Sequence, residues 1–277
     1  MLCHIQPSQT SFLDAAEAGC QCSQAMHQCT TVHNPSQIPF VFPGLDRVHC
    51  LFTTRWGGHC PQDQGTQPQR QERIHGLQAD LGIPSWRDMH QVHGTDLHRI
   101  FDPALEYAQG RPKADALATD LEAQALVVSV ADCQPLLVTH IAGRFIAALH
   151  VGWRANRAKA PCLWVEHLCR SFDASPEEIM AVRGPSLGPG KSEFINFHSE
   201  WGPQFTPYFH PGTQSMDLWT LTRDQLQSAG LPANHIFSLD LCTHSLPHLF
   251  YSYRRDKSTG RQAGIIWIEG HAPETLP

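Results

Sequence analysis

The sequence predicts an α/β (α+β) fold, a single compact domain with mixed β-sheets flanked by helices. Two observations carry that expectation. Near-continuous apolar runs at 125–130, 136–138, 144–150 and 263–268 read as strands buried on both faces. Stretches with helical spacing and clear start and stop residues follow and separate them, and no linker or internal repeat divides residues 38–277.

Residues 1–37 are polar, rich in Gln, Ser and Cys, and weakly periodic, so they read as a poorly ordered or irregular N-terminal extension. Within it, Cys20, Cys22, His27 and Cys29 lack the paired spacings that mark a structural zinc site. The catalytic domain is then expected over 38–277. Residues 38–44 contain Pro39 and Pro43 and suit a sheet edge, because proline cannot donate to a ladder. Residues 48–55 are β-branched and aromatic and read as a strand ending at Arg55-Trp56-Gly57-Gly58. The paired glycines allow a sharp turn, and Arg55 beside it is a candidate to hold an anion. A surface arginine next to a hairpin is the plainer reading of the same residues.

Residues 59–71 form a Gln/Pro/Gly-rich loop, and the spacing of Ile74, Leu77 and Leu81 predicts a helix over 71–81 stopped by Gly82. In Gln91-Val92-His93-Gly94 an extended backbone places Gln91 and His93 on one face. Residues 114–120 read as a short strand and turn. Pro161 suits the first turn of a helix carrying Leu163, Trp164, Val165, Leu168 and Cys169. Ser175-Pro176-Glu177-Glu178 carries a capping box and opens a short helix, broken before the stiff loop 183–190. Asp217 caps a helix over 218–228 that turns Leu218, Leu221 and Leu226 inward and stops at Gly230. Residues 236–241 form a strand, 251–256 an extended polar-aromatic segment, and 263–268 the last buried strand.

The net charge of −6 and the lack of a Lys/Arg stripe argue against a nucleic-acid partner. Residues 1–14 lack a basic start followed by an apolar core, and no apolar run approaches the ~18 residues of a membrane span. A cytoplasmic protein with no membrane partner and with reduced thiols is expected. Cys50, Cys162, Cys169 and Cys242 sit beside apolar segments and read as small buried residues.

The chemistry concentrates at Ser129-Val130-Ala131-Asp132-Cys133-Gln134-Pro135. A carboxylate and a thiol between two buried strands are costly unless they have partners. His93 and His150, 40 and 17 residues away, also stand beside a glycine or close to one at the ends of extended runs. Those separations exclude a compact zinc-finger loop and suit a site collected from several strand ends. A thiolate with two imidazoles favours zinc or copper(I) over magnesium or calcium. Three protein ligands leave a tetrahedral ion one open position, and a metal there lowers the pKa of water. A metal-free Cys–His nucleophile is the competing chemistry, and taken singly each residue reads as structural; it is the three together that point to a site. Asp132, next to Cys133, points to the opposite face unless the chain turns there.

At these residues the sequence resembles the YfiH-type laccase-domain proteins, also called purine nucleoside phosphorylase/adenosine deaminase or peptidoglycan-editing factor proteins. The resemblance rests on Thr53-Thr54-Arg55-Trp56-Gly57-Gly58, Gln91-Val92-His93-Gly94, Ala131-Asp132-Cys133-Gln134-Pro135, His150-Val151-Gly152-Trp153-Arg154, Gly184-Pro185-Ser186-Leu187-Gly188-Pro189, and Tyr253-Arg254-Arg255-Asp256 through Thr259-Gly260-Arg261-Gln262. It implies a compact YfiH/CNF-like fold, often monomeric, and a metal site at His93, Cys133 and His150. The donor set makes zinc the expected ion, with copper as the other candidate, and Arg55, by the preference of arginine for phosphate, and Gln91, on the His93 face, are the expected substrate-binding residues. The resemblance also implies phosphorolysis of adenosine, inosine, guanosine and methylthioadenosine with phosphate, plus deamination of adenosine. Editing of peptidoglycan precursors by an amidase or hydrolase, and a divergent non-enzymatic metal-binding member, are the alternatives. The sequence has one three-ligand site and not the several His-rich motifs that a multicopper laccase needs. It departs from the family pattern at 59–74, at Ala155 in place of glycine, and at 190–193.

Overall fold

The computed structural model describes residues 35–57, 75–76, 78–79, 82–83, 85–102 and 110–270. The cysteine-rich part of the N-terminal extension and the 59–71 loop lie outside these residues, as does most of the helix expected over 71–81. Two sheets face each other. The first has the order β1-β2-β13-β6-β3, built from Gln37–Phe40, Val48–Thr53, Gln262–Ile268, Gln124–Val130 and Ser85–Arg87. The second has the order β12-β9-β7-β8-β5-β4, built from Ile236–Ser238, Ile179–Arg183, Gln134–His140, Ile146–Val151, Ala116–Thr119 and Leu97–Arg99. Both are mixed: β3 joins β6, β4 joins β5 and β12 joins β9 in parallel, and the central pairs are antiparallel. A third, two-stranded piece pairs β10 (Phe209–His210) with β11 (Ser215–Met216).

The strand period of two sorts side chains between layers. In β6, Leu126, Val128 and Val130 enter the core between the sheets, while Ala125 and Val127 face outward. In β8, Ile146 and Ala148 face the same inner core, and Ala147, Leu149 and Val151 face a second, outer core. His150 therefore shares the inner side with Ala148. The outer core is roofed by the helices α1 (Trp153–Arg157), α2 (Ala160–Phe172) and, after the short α3 (Phe197–Glu200), α4 (Leu218–Ser228).

Helix α2 buries Ala160, Trp164, Val165 and Leu168, one face at helical spacing, with Pro161 in its first turn. Burying a large apolar side chain of this kind stabilises by roughly 1.5–3 kcal/mol. Helix α4 begins where the sequence predicts. The Asp217 carboxylate accepts from the Thr220 N–H at 2.9 Å, and Gly230 follows the helix end at φ +103°.

Four sequence expectations need correction. The capping box at Ser175 opens only a single 3-10 turn, Pro176–Glu178. The next five residues form β9, buried along its whole length between β7 and β12, so burial of Ile179-Met180-Ala181-Val182 on both faces wins over helix continuation. Residues 253–255 form a turn instead of continuing the extended segment, with Arg255 donating to the carbonyls of Thr243, His244 and Phe250. The chain bends at His93-Gly94 instead of running extended from Gln91, and His93 has φ +60°. Of the cysteines expected to be buried, Cys50 is, whereas Cys162, Cys169 and Cys242 are half-buried and free.

Candidate metal centre

His93, Cys133 and His150 converge at one end of the inner layer, with their donor atoms all within 4.8 Å of one another. Three local devices bring them together. Strand β8 delivers His150 from the last inward position before its end. Cys133 sits on the turn between β6 and β7, where Asp132 takes φ +91°. His93 comes on the left-handed bend after β3, and the His93 and His150 rings meet edge to face at 4.8 Å. Gly152 makes the convergence possible, since a Cβ there would stand 3.2 Å from the Cys133 sulfur and 3.3 Å from the His93 ring. The centre is graded in depth: His93 is exposed, Cys133 half-buried and His150 buried.

Behind the histidines lies Asp115, fully buried and not singled out from the sequence. One carboxylate oxygen accepts from the His150 Nδ1–H at 2.8 Å and from the His93 backbone N–H at 2.9 Å. The other accepts from the backbone N–H groups of Gly94 at 2.6 Å and Val92 at 3.2 Å. Asp115 thus holds the bend that carries His93 and, at the same time, fixes the His150 tautomer. An ionised carboxylate only accepts, so Nδ1 carries the proton and Nε2 is left for the centre. This is the arrangement by which outer carboxylates orient imidazole ligands.

The electrostatics follow from the same contacts. Burial raises the pKa of Asp115, but the His150 hydrogen bond and the backbone donors outweigh it and hold the carboxyl below its ordinary range. Burial alone would also push the Cys133 thiol up. The charge of His150 and hydrogen bonds from His150 and His93 reverse this and bring it to about 6. His150 moves the other way: burial lowers it, and the Cys133 thiolate and Asp115 carry it to about 9. Burial pushes the thiols of Cys50, Cys162 and Cys169 up. A thiolate and two imidazoles are the donor set of a zinc or copper(I) site, and their spacing and open side fit such an ion.

Asp132 turns away from the donors, but it is not idle. Its carboxylate accepts from the Thr243 hydroxyl and from the Arg254 N–H, each at 2.6 Å, and its carbonyl accepts from the Leu187 N–H at 2.9 Å. Three distant loops are thereby pinned to the residue before Cys133. Gln91 has its amide engaged with the β6 backbone, donating to the Ser129 carbonyl at 2.9 Å and accepting from its N–H at 3.0 Å. That placement makes it a brace for the His93 bend. Arg55 is exposed; its guanidinium donates to the Pro247 carbonyl and lies 5.2 Å from the centre of the Tyr251 ring. Its contacts run to the 247–251 segment and not to the three donors. A buried carboxylate in the apolar run Ala114-Asp115-Ala116-Leu117 was the one signal in the sequence that pointed to Asp115.

These features define a mixed α/β protein with two facing sheets and, among the described residues, a His-Cys-His cluster at one end of the layer between them. The chain belongs to the family described as multi-copper polyphenol oxidoreductase laccase, whose model matches residues 49–269, and within it to the YfiH type. It is 34% identical over 226 residues to a purine nucleoside phosphorylase of Xylella fastidiosa, covering 76% of this chain and 84% of the relative. It is 31% identical over 220 residues to the purine nucleoside phosphorylase YfiH of Escherichia coli, covering 76% and 85%. A crystal structure of a Neisseria meningitidis protein superposes with a TM-score of 0.72 at 26% identity, covering 85% of this chain and all of that one. Among the described residues one cluster of His, Cys, Asp or Glu could hold a metal ion, the three donors above. No helix among them is long and apolar enough to cross a membrane.

Proposed function

We propose that the protein is a zinc-dependent purine nucleoside phosphorylase that also deaminates adenosine, acting as a monomer in the cytoplasm. Its substrates on this reading are adenosine, inosine, guanosine and methylthioadenosine, with phosphate as the second substrate. The observation that carries it is the half-open His93-Cys133-His150 centre braced by Asp115, in a chain whose relatives bear the name purine nucleoside phosphorylase.

His93, Cys133 and His150 would hold the ion, which when bound supplies a Lewis acid with an open position. Phosphorolysis requires an anion to be held against the sugar carbon while the purine departs. Arg55 takes the phosphate in this reading, because its forked donors match phosphate oxygens and its side chain is exposed. Asp115 keeps His150 in one tautomer and keeps the His93 bend closed, and Gln91 ties that bend to β6. Exposed His93 leaves the centre open to substrate on one side, while buried His150 and Asp115 exclude water on the other.

Purified protein of known metal content is incubated with inosine and phosphate, and hypoxanthine and ribose 1-phosphate are measured. Both products are expected, and hypoxanthine release should need phosphate. Absence of hypoxanthine with metal present overturns the phosphorolysis reading. Adenosine without phosphate should yield inosine and ammonia, and failure there removes the deaminase half alone.

A further inference from the structure

The start of β7 has a second functional-looking face. Opposite the metal centre, on the helix side of the six-stranded sheet, lies a cavity of about 680 Å³. It opens where the parallel strands β9 and β12 end and where α4 begins. Its size is that of a pocket for a small organic ligand.

The charges lining it do not balance. Arg183, Lys191 and Arg223 face Asp217 and Asp240. Both carboxylates are engaged: Asp217 accepts from the Thr220 N–H and hydroxyl at 2.9 and 2.7 Å, and Asp240 pairs with Arg183. Arg223 reaches its chain neighbour Asp224 at 3.2 Å and is otherwise exposed. Lys191 is exposed, and its ammonium makes no hydrogen bond or ion pair among the described residues. Arg183, 5% exposed, lies 4.2 Å from the centre of the Trp219 ring, and both side chains donate to the Ser186 hydroxyl. The indole itself is half-exposed and lines the cavity. A pocket with one unpaired cation, Lys191, a second, Arg223, held only by its exposed chain neighbour, and a fixed aromatic ring suits an anion attached to a planar group.

We propose that this cavity is a second ligand site, separate from the metal centre, for a small phosphate ester bearing an aromatic ring, the class of a nucleoside monophosphate. The phosphate faces Lys191 and Arg223, and the ring lies against Trp219. The site is mechanically joined to Cys133. The Ser186 that anchors Trp219 also receives the Thr243 N–H at its carbonyl, at 3.0 Å, and Thr243 and Leu187 both donate to Asp132. The proposal concerns binding, so it stands whether or not nucleosides react at the metal centre.

The test is calorimetric titration of the full chain with 5′-AMP, and separately with inorganic phosphate. Saturable binding of 5′-AMP is expected, unchanged in Cys133→Ala. It should be weakened by about tenfold or more when Lys191→Glu and Arg223→Glu are combined, both at exposed positions that leave the fold intact. Trp219→Leu should weaken 5′-AMP and not phosphate. The proposal is overturned if 5′-AMP does not bind, if the charge-reversed protein binds it like wild type, or if Cys133→Ala abolishes binding. Equal affinity for phosphate and 5′-AMP overturns the assignment of an aromatic ligand and leaves a plain anion site.

Discussion

The two faces at the start of β7 are built on opposite terms. On the inner face the Asp115 carboxylate has four donors, the imidazole of His150 is locked, and the thiol is held by two rings. On the outer face the cations around Trp219 are only partly matched, and the space they face is large. Burial with complete partnering fixes geometry, which is what a metal centre needs. Charge left open to a cavity instead keeps interaction energy for a ligand.

The sharpest way to break this contrast is to remove the central inner-face donor. Cys133→Ala should abolish stoichiometric metal binding and lower inosine phosphorolysis by about a thousandfold, the scale of losing a key electrostatic group in catalysis. Metal analysis beside a hypoxanthine assay checks both. Retention of full activity without metal would dissolve the distinction between the faces.

Asp115→Asn comes next in size. It keeps the shape but replaces an acceptor of four hydrogen bonds with one that accepts at a single atom. Metal affinity should fall by roughly 10–100-fold, measured by competition with a chromophoric chelator. An unchanged affinity would mean that His93 and His150 hold their places without it.

In the metal-free protein, the ultraviolet absorbance of the Cys133 thiolate should titrate with a midpoint near 6, and His150→Ala should move that midpoint upward. The sign for stability follows from the pair. The thiol is depressed from 9.0, so its contribution is complete above that value and is lost as pH falls through about 6. The imidazole is raised from 6.5, so its contribution is complete below that value and is lost as pH rises through about 9. The coupled pair therefore supports the metal-free fold best between about 6 and 9, and urea denaturation across that range reads it.

Two substitutions test the scaffold away from the ligands. A Cβ at Gly184 would stand 2.2 Å from the Phe52 ring, between the sheets, so Gly184→Ala should destabilise by about 1–3 kcal/mol in urea denaturation. Asp217→Ala removes the α4 cap on the outer face and should cost about 1 kcal/mol. Metal affinity should not change in Asp217→Ala; a change would show that the faces are coupled even without a ligand.

Cys133 and His150 were legible in the sequence because each interrupts or ends an apolar run with a side chain that burial penalises, and His93 by the glycine that follows it. The buried strands and the capped helix α4 were legible for the same local reasons, periodicity and punctuation. Asp115 was harder to read, since its role depends on a left-handed bend at His93 that brings backbone N–H groups to it from 21 to 23 residues away. Strand β9 hid behind a capping box that supports one turn only. Asp132 was read as facing away from the metal unless the chain turns; it does turn, but the partners of the carboxylate lie 111 and 122 residues downstream. The outer cavity gathers residues from 136 to 245, and no local pattern marks it.

The central claim is that one metal ion, held by His93, Cys133 and His150, makes this chain a nucleoside phosphorylase. Its most direct test strips the metal, measures hypoxanthine release from inosine and phosphate, and then restores zinc. The account predicts one metal per chain, loss of turnover on removal and recovery on reloading. Undiminished hypoxanthine release by the metal-free protein would contradict it.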